Sequence, residues 1–158
     1  MSTHATIGFI SAGGSVKTID LVMDGYYSEA GLTLLMNYNS RNAALLLTSL
    51  GTLSQLNDKL QDCITHAVHF KREMRKPNEF ESVNDLLSVL EKVAHEYVYL
   101  FDEREYKANN EEEYRQYNYS QPSTVNPAKC YWYTVNRDKK LESLQDVVLR
   151  ETSETDPV

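Results

Sequence analysis

The chain has 158 residues, a formal net charge of −7 and 41% hydrophobic residues, which is typical of a folded globular protein. The length favours one domain, which we assign to residues 1–150, followed by a flexible tail at 151–158. The acidic balance argues against duplex DNA or an anionic membrane as partner, because both need a basic surface. No apolar run reaches the roughly 18 residues of a membrane span. The two cysteines make no disulfide framework, so we expect a cytoplasmic protein, and we expect no cofactor.

The chain opens with the pattern of a β-hairpin. Ala5–Ile10 and Val16–Met23 are rich in β-forming residues, and Gly13-Gly14-Ser15 between them has turn chemistry. Asp24-Gly25 then ends the second strand at a sharp change of direction. These residues predict two antiparallel strands followed by a tight corner.

Helical spacing follows the corner. Four helices are predicted, from Ser28 to Tyr38, from Asn42 to Leu50, from Ser54 to Arg75, and onward from a cap at Ser82. The third has an apolar stripe at steps of three and four residues, formed by Leu56, Leu60, Cys63, Ala67, Phe70 and Met74. We therefore interpret residues 54–96 as a helical insertion in the domain.

From Tyr97 the hydrophobic period changes to two, which predicts a strand over Tyr97–Phe101 and a turn at residues 102–105. Residues 109–128 form a polar, tyrosine-rich loop, Lys129–Val135 a strand, and Leu141–Val148 a last short helix. The order of elements predicts an α+β fold. We expect a small antiparallel sheet from the N-terminal hairpin and the C-terminal strands, packed with four to five helices.

One stripe of the predicted long helix could bind a metal. Asp62, His66, His69 and Glu73 recur at helical spacing, and histidine is the commonest metal ligand. The spacing is not that of a His-Glu-x-x-His helix, and no Cys/His cluster supplies further ligands. A solvated helix face is the better interpretation, so we predict no metal site and no catalytic residue.

The corner Asp24-Gly25-Tyr26-Tyr27 is the first candidate binding site. A glycine after Asp permits a left-handed backbone, and the N–H groups of the following helix could bind an anion or polar ligand. The alternative is that Asp24 only caps the turn and Tyr26 packs on the sheet. A nucleotide site would need Lys17, Arg41 and Tyr26 to face one cavity.

Eight of the eleven tyrosines lie between Tyr97 and Tyr133, together with the only tryptophan. Alternating aromatic residues in strands commonly fill a core. Exposed tyrosines, in contrast, provide large contact area at low entropic cost. The second set of candidate partner-binding residues is therefore Tyr114, Tyr117, Tyr119 and Trp132.

The segment Lys17–Tyr26 resembles the opening of a widespread family of small phage proteins, which reads Ser-Ile-Tyr-Cys-His-Trp-Asp-Gly-Tyr-Pro before a helix ending Leu-x-x-x-Tyr. Similar features follow at Gly31, Leu34, Leu35, Tyr38, Ser49–Leu56, Glu96–Asp102 and Tyr131–Tyr133. The family's Cys-His-Trp is Leu21-Val22-Met23 here, and its Pro is Tyr27. Any role of those family residues is therefore lost from this chain.

The resemblance implies a phage or mobile-element origin and a small accessory protein in the host bacterial cytoplasm. Our leading hypothesis is a non-enzymatic protein that binds and inhibits a host protein, counteracting an antiphage defence. The alternative is a sponge that sequesters a nucleotide immune signal, and the third option is a metal-dependent hydrolase. A homodimer fits either binding hypothesis.

Overall fold

The computed structural model of the chain describes residues 3–65, 77–90, 97–109, 129–136 and 138–155. Within these ranges eight strands form one mixed sheet: β1 Ala5–Ile10, β2 Val16–Leu21, β3 Leu53–Gln55, β4 Ile64–Thr65, β5 Asn78–Phe80, β6 Tyr97–Asp102, β7 Trp132–Val135 and β8 Leu141–Ser143. Their order is β4-β3-β2-β1-β6-β7-β8, and β5 also pairs with β2. The α+β class is thereby confirmed.

The sheet is larger than the small sheet that was predicted, and its strands are not all antiparallel. The β1–β2 hairpin is confirmed, with Ile7 opposite Ile19. However, β1 pairs in parallel with β6, and β2 pairs in parallel with β3. One edge of β2 is shared, because β5 pairs with its first residues and β3 with Leu21 at its end. These long-range pairings leave no local signal in the sequence.

The helices of the described ranges are short. They are a π-helical turn Tyr27–Gly31, α1 Leu32–Asn37, α2 Arg41–Leu47, a 3-10 turn Leu60–Asp62, α3 Val83–Leu90, α4 Glu103–Asn109 and α5 Leu144–Thr155. The predicted cap at Ser82 is present, because its hydroxyl accepts from the Asp85 amide. The helix predicted from Ser28 instead begins as the π-helical turn at Tyr27, without a side-chain cap, and Ser40 caps α2 by accepting from the Ala43 amide. The helix α5 continues past Glu151, where we expected the tail to begin.

The long helix predicted from Ser54 is wrong over residues 54–65, where the chain forms β3, the 3-10 turn and β4. Buried Leu53 pairs with Leu21, and this tertiary contact overrides the helical pattern. The apolar residues Leu56, Leu60 and Cys63 still pack against the core without forming a helix. The remainder of that prediction, at 66–76, lies outside the described residues.

The turn predicted at residues 102–105 is instead the start of α4. The Asp102 carboxylate accepts a hydrogen bond from the Arg104 amide at 3.0 Å and also binds the Arg104 guanidinium at 2.9 Å. An aspartate in this position satisfies an N–H group of the first helical turn. Asp102 is therefore the last residue of β6 and also caps the start of α4.

Each face of the sheet has its own apolar cluster. The larger one includes residues from the π-helical turn, α1, α2 and α5, and its centre is aromatic. Phe9 stacks on Phe101 at 5.6 Å, and Trp132 meets Phe101 edge to face at 5.5 Å. The smaller cluster contains Leu86 of α3 with Leu100 of β6 and is aliphatic at its centre. Strand β1 is buried along its whole length because both faces are covered.

Candidate functional site

The corner after β2 is held by two hydrogen bonds of the buried Gly25 backbone. The Gly25 amide donates to the Thr3 carbonyl at 2.9 Å, and the Tyr99 hydroxyl donates to the Gly25 carbonyl at 2.6 Å. A Cβ on Gly25 would lie 2.9 Å from the Ala5 Cβ. Asp24, not Gly25, has the left-handed backbone, with φ 58°. Glycine is therefore required here for close approach, which corrects the expectation that it provides the left-handed turn.

The two tyrosines of the corner have different environments. Tyr27 is half-buried and meets Tyr97 and Tyr99 edge to face, at 4.8 and 6.0 Å between ring centroids. Tyr26 is 44% exposed and meets Tyr97 at 5.9 Å. Burial raises the pKa of Tyr99, so its hydroxyl stays a hydrogen-bond donor. Tyr27 thus anchors the corner, whereas Tyr26 presents its ring at the surface.

A cleft of about 440 Å³ opens beside this corner, where β2 and β3 end. We call it the acidic cleft and define it by Asp24, Glu29, Leu56, Asp58, Lys59 and Asp62. The two strands that end here are parallel to each other. The carboxyl ends of parallel strands are a common location for ligand sites, because the following loops meet there.

The loop from β3 to β4 forms one wall of the acidic cleft and is fixed by hydrogen bonds. The Tyr38 hydroxyl donates to the Asn57 carbonyl at 2.6 Å, and the Asn57 side chain donates to the Asp62 carbonyl at 2.6 Å. Burial is the main cause of the raised pKa of Tyr38, and contact with Cys63 adds to it. The protonated phenol thus holds the loop that positions Asp58 and Asp62.

The described lining of the acidic cleft contains four carboxylates and one cation. The ion pairs found within the described part of the chain belong to Asp102, Glu103, Glu105 and Glu142. None of the four cleft carboxylates forms an ion pair with another described residue. Lys59 is the one cation among the described residues of the lining. Such a field attracts a cation and repels an anion. The negative charge of the cleft therefore argues against the expectation that this corner binds an anion.

Arg41 lies elsewhere, in a second cleft of about 660 Å³. Its guanidinium binds Glu103 at 3.0 Å, and the Glu103 carboxylate also accepts from the Ala12 amide at 3.1 Å. Lys17 lines the same cleft, but so do Glu79 and Glu81, and Tyr26 is not part of the lining. The shared cavity that a nucleotide site would require is therefore incomplete.

Trp132 is fully buried and is not a surface residue. Its indole N–H donates to the Tyr38 carbonyl at 2.9 Å, so the ring is a structural part of the aromatic core. This corrects its prediction as a partner-binding residue. The other residues of that set, Tyr114, Tyr117 and Tyr119, lie outside the described residues.

The sequence pattern did not identify Glu29 and Asp58 as site residues. It placed Asp58 on a helix, although Asn57-Asp58 is a pair typical of turns and was the available signal. Asp62 was predicted to lie on a solvated helix face, without a metal, and it lies instead in the 3-10 turn. His66, His69 and Glu73 are outside the described ranges, and the described residues contain no group of three or more side chains suited to a metal ion.

Comparison with known proteins found no match among family models, curated proteins or solved structures. No helix in the described ranges has the length and apolarity needed to cross a membrane.

Proposed function

We propose that the chain is a non-enzymatic binding protein that inhibits a bacterial host protein by holding a basic segment of that protein in the acidic cleft. One observation carries the proposal: four carboxylates surround the cleft with Lys59 as the single cation, and none of them is ion-paired within the described residues. A partner cation would supply the missing charge.

An arginine-containing segment fits this cleft better than a lysine-containing one. A planar guanidinium binds carboxylates with two parallel hydrogen bonds, and it is less strongly hydrated than an ammonium group. Tyr26 follows Asp24 by two residues and has an exposed ring, which offers a surface for cation–π contact. Leu56 in the lining can contact the methylene stem of the same side chain.

The resemblance to small phage proteins supports the host context of the proposal. It implies an accessory protein of a phage or mobile element, and such a protein acts in the host cytoplasm. An antiphage defence component is then the expected target. The net negative charge of the chain also supports binding to a basic protein, because long-range attraction speeds association with a basic partner surface.

The nucleotide sponge is the weaker alternative. Its phosphates would have to bind Lys17 and Arg41 in the second cleft, against three carboxylates in the same lining. Arg41 already neutralises Glu103, so Lys17 alone faces Glu79 and Glu81. Such a cleft repels phosphate more than it attracts it.

The test is capture of host proteins from bacterial lysate by the tagged chain and by two double variants. D58N/D62N removes two charges from the acidic cleft, and D85N/D138N removes two charges from exposed positions elsewhere. We expect a captured protein that is retained by D85N/D138N and lost by D58N/D62N. Binding is then measured by calorimetry with the purified pair.

An equal loss with both double variants would show nonspecific charge attraction and contradict the proposal. Retention by both would show that the acidic cleft is not the binding surface. A nucleotide that co-purifies with the chain and is released by changing Lys17 to Ala would favour the sponge instead.

A further inference from the structure

The second cleft, in which Arg41 lies, has both apolar and charged walls. Its volume of about 660 Å³ is larger than that of the acidic cleft. Phe9, Leu45 and Phe80 provide the apolar part, and Phe9 is buried while the other two are half-buried. The volume falls within the range of about 300–1,000 Å³ that is usual for sites of small-molecule ligands. The cleft is therefore suited to a ligand that has an apolar group.

The second cleft contains one complete ion pair and three further charged side chains. Glu103 is buried and binds Arg41 at 3.0 Å, so these two residues add no net charge. Lys17 is half-buried in the lining, and Glu79 and Glu81 are exposed in it. None of these three side chains forms an ion pair with another described residue. The cleft thus presents one ammonium group and two carboxylates to a ligand.

The three charges favour a ligand that has both a positive and a negative group. Lys17 and Glu79 lie directly opposite each other on β2 and β5, where opposite charges attract, yet they form no ion pair. A zwitterion can place its carboxylate at Lys17 and its ammonium group at the two glutamates. A phosphate lacks the positive group, so the glutamates repel it.

The second cleft also borders an edge of the sheet. Phe80 packs against the smaller apolar cluster, on one face. Glu79 lies opposite Lys17, and Lys17 lies opposite Phe9 of the larger cluster, on the other face. Since the cleft contains side chains from both faces of β5, it lies at the edge of that strand. Among the described strands only β2 pairs with β5, so the other edge of β5 has N–H and C=O groups that can bind a peptide backbone.

We propose that the second cleft binds a short peptide that has free termini and an apolar side chain. The peptide carboxylate binds Lys17, its ammonium group binds Glu79 and Glu81, and its backbone pairs with the edge of β5. The apolar side chain packs against Leu45 and Phe80. The inference is independent of the acidic cleft, which lies at the opposite end of β2.

Isothermal titration calorimetry of the full chain with the dipeptide leucyl-phenylalanine tests the proposal. We expect saturable binding of one peptide per chain. N-acetyl-leucyl-phenylalanine and leucyl-phenylalanine amide each lack one charge and should bind about tenfold more weakly or worse. Glycyl-glycine has both charges without an apolar side chain, and free phenylalanine has no peptide group to pair with β5. Both should also bind at least about tenfold more weakly.

Variants of the chain assign each peptide terminus to its partner. Lys17→Met should weaken the binding of leucyl-phenylalanine about tenfold and leave the binding of its amide unchanged, because the amide has no carboxylate for Lys17 to bind. E79Q/E81Q should weaken the binding of leucyl-phenylalanine and leave that of the N-acetyl peptide unchanged, because the N-acetyl peptide has no ammonium group.

The matched controls Lys140→Met and D85N/D138N remove exposed charges elsewhere and should bind leucyl-phenylalanine normally. The absence of saturable binding of leucyl-phenylalanine would overturn the proposal. Equally tight binding of glycyl-glycine or of free phenylalanine would do the same. So would a variant that loses the charged and the blocked peptides equally, because that loss would come from a change in the fold and not from a lost contact.

Discussion

The acidic cleft and the aromatic core are joined by hydrogen bonds, yet they place different demands on their residues. In the core, Tyr99, Phe101 and Trp132 are fully buried. In the cleft, Asp24, Asp58 and the neighbouring Tyr26 are exposed. The Tyr99 hydroxyl donates to the Gly25 carbonyl, and the Tyr38 hydroxyl donates to the Asn57 carbonyl, so two buried tyrosines link the regions. The core thus determines the position of the cleft, while the carboxylates of the cleft form no ion pair with the other described residues.

The largest expected difference is between Trp132→Ala and Tyr26→Ala. Removing the buried indole should destabilise the fold by about 3–5 kcal/mol, because it leaves a cavity and takes the donor away from the Tyr38 carbonyl. Removing the exposed ring of Tyr26 should cost only about 0.5 kcal/mol. Urea denaturation followed by circular dichroism measures both. Similar values for the two variants would contradict the division into core and surface.

Gly25→Ala should strongly affect the corner that joins the two regions. The added Cβ would lie 2.9 Å from both the Ala5 Cβ and the Thr3 carbonyl oxygen, so β1 or the corner must shift. We expect a cost of about 1–3 kcal/mol. Gly13→Ala is the matched control, because the nearest atom to its Cβ is 4.0 Å away and its cost should be within about 0.5 kcal/mol. Equal thermal midpoints for the two variants would refute this account of Gly25.

Tyr99→Phe removes one hydrogen bond between core and cleft without changing the ring. The Gly25 carbonyl loses a buried donor, and we expect a loss of about 1–2 kcal/mol. Tyr27→Phe is the control, since its hydroxyl makes only a 3.5 Å contact with Thr134 and should contribute less than about 0.5 kcal/mol. Chemical denaturation separates the two outcomes, and a larger loss for Tyr27→Phe would be evidence against this role of Tyr99.

The smallest expected change in stability concerns Glu105, a carboxylate outside the acidic cleft that forms an ion pair with Lys129. Burial alone would raise its pKa, but hydrogen bonds from Lys129, at 2.8 Å, and from Tyr133 outweigh it and lower the pKa below the ordinary 4.5. Because the pKa is lower in the folded state, ionised Glu105 stabilises the fold at pH values above the pKa of the unfolded chain. This stabilisation is lost as the pH falls through the pKa of the folded state. The group is partly exposed, so we expect about 0.5 kcal/mol.

Denaturation of the wild type and Glu105→Gln at neutral and acidic pH measures that contribution. The wild type should be the more stable at neutral pH, and the difference should vanish in acid. A difference that does not change with pH would show that ionisation of Glu105 contributes nothing.

Local patterns in the sequence predicted those elements that depend on near neighbours. The hairpin around Gly14, the strand from Tyr97 and the helix capped by Ser82 are all present. The interval from Ser54 to Thr65 was not predictable in this way. Its two strands exist because Leu53 pairs with Leu21, and that partner is distant in the chain.

The site was predictable only at its corner. Asp24-Gly25-Tyr26 has a recognisable turn pattern, and it does border the acidic cleft. Asp58 and Asp62 come from a separate loop, which the fold brings to the corner through the Tyr38 hydrogen bond. Trp132 shows the opposite difficulty, since an aromatic residue in a strand has the same local pattern whether it lies in a core or at a surface.

The most direct test of the acidic cleft is an amide NMR titration of the folded chain with a short oligo-arginine peptide, and with oligo-glutamate as the control. We predict that oligo-arginine shifts the amides of Asp24, Glu29 and Asn57–Lys59, and that D58N/D62N abolishes these shifts. Oligo-glutamate should leave them unchanged. Shifts of equal size around exposed acidic residues elsewhere, such as Asp85 and Asp138, or no shifts at the cleft, would contradict the proposal that this surface holds a basic segment.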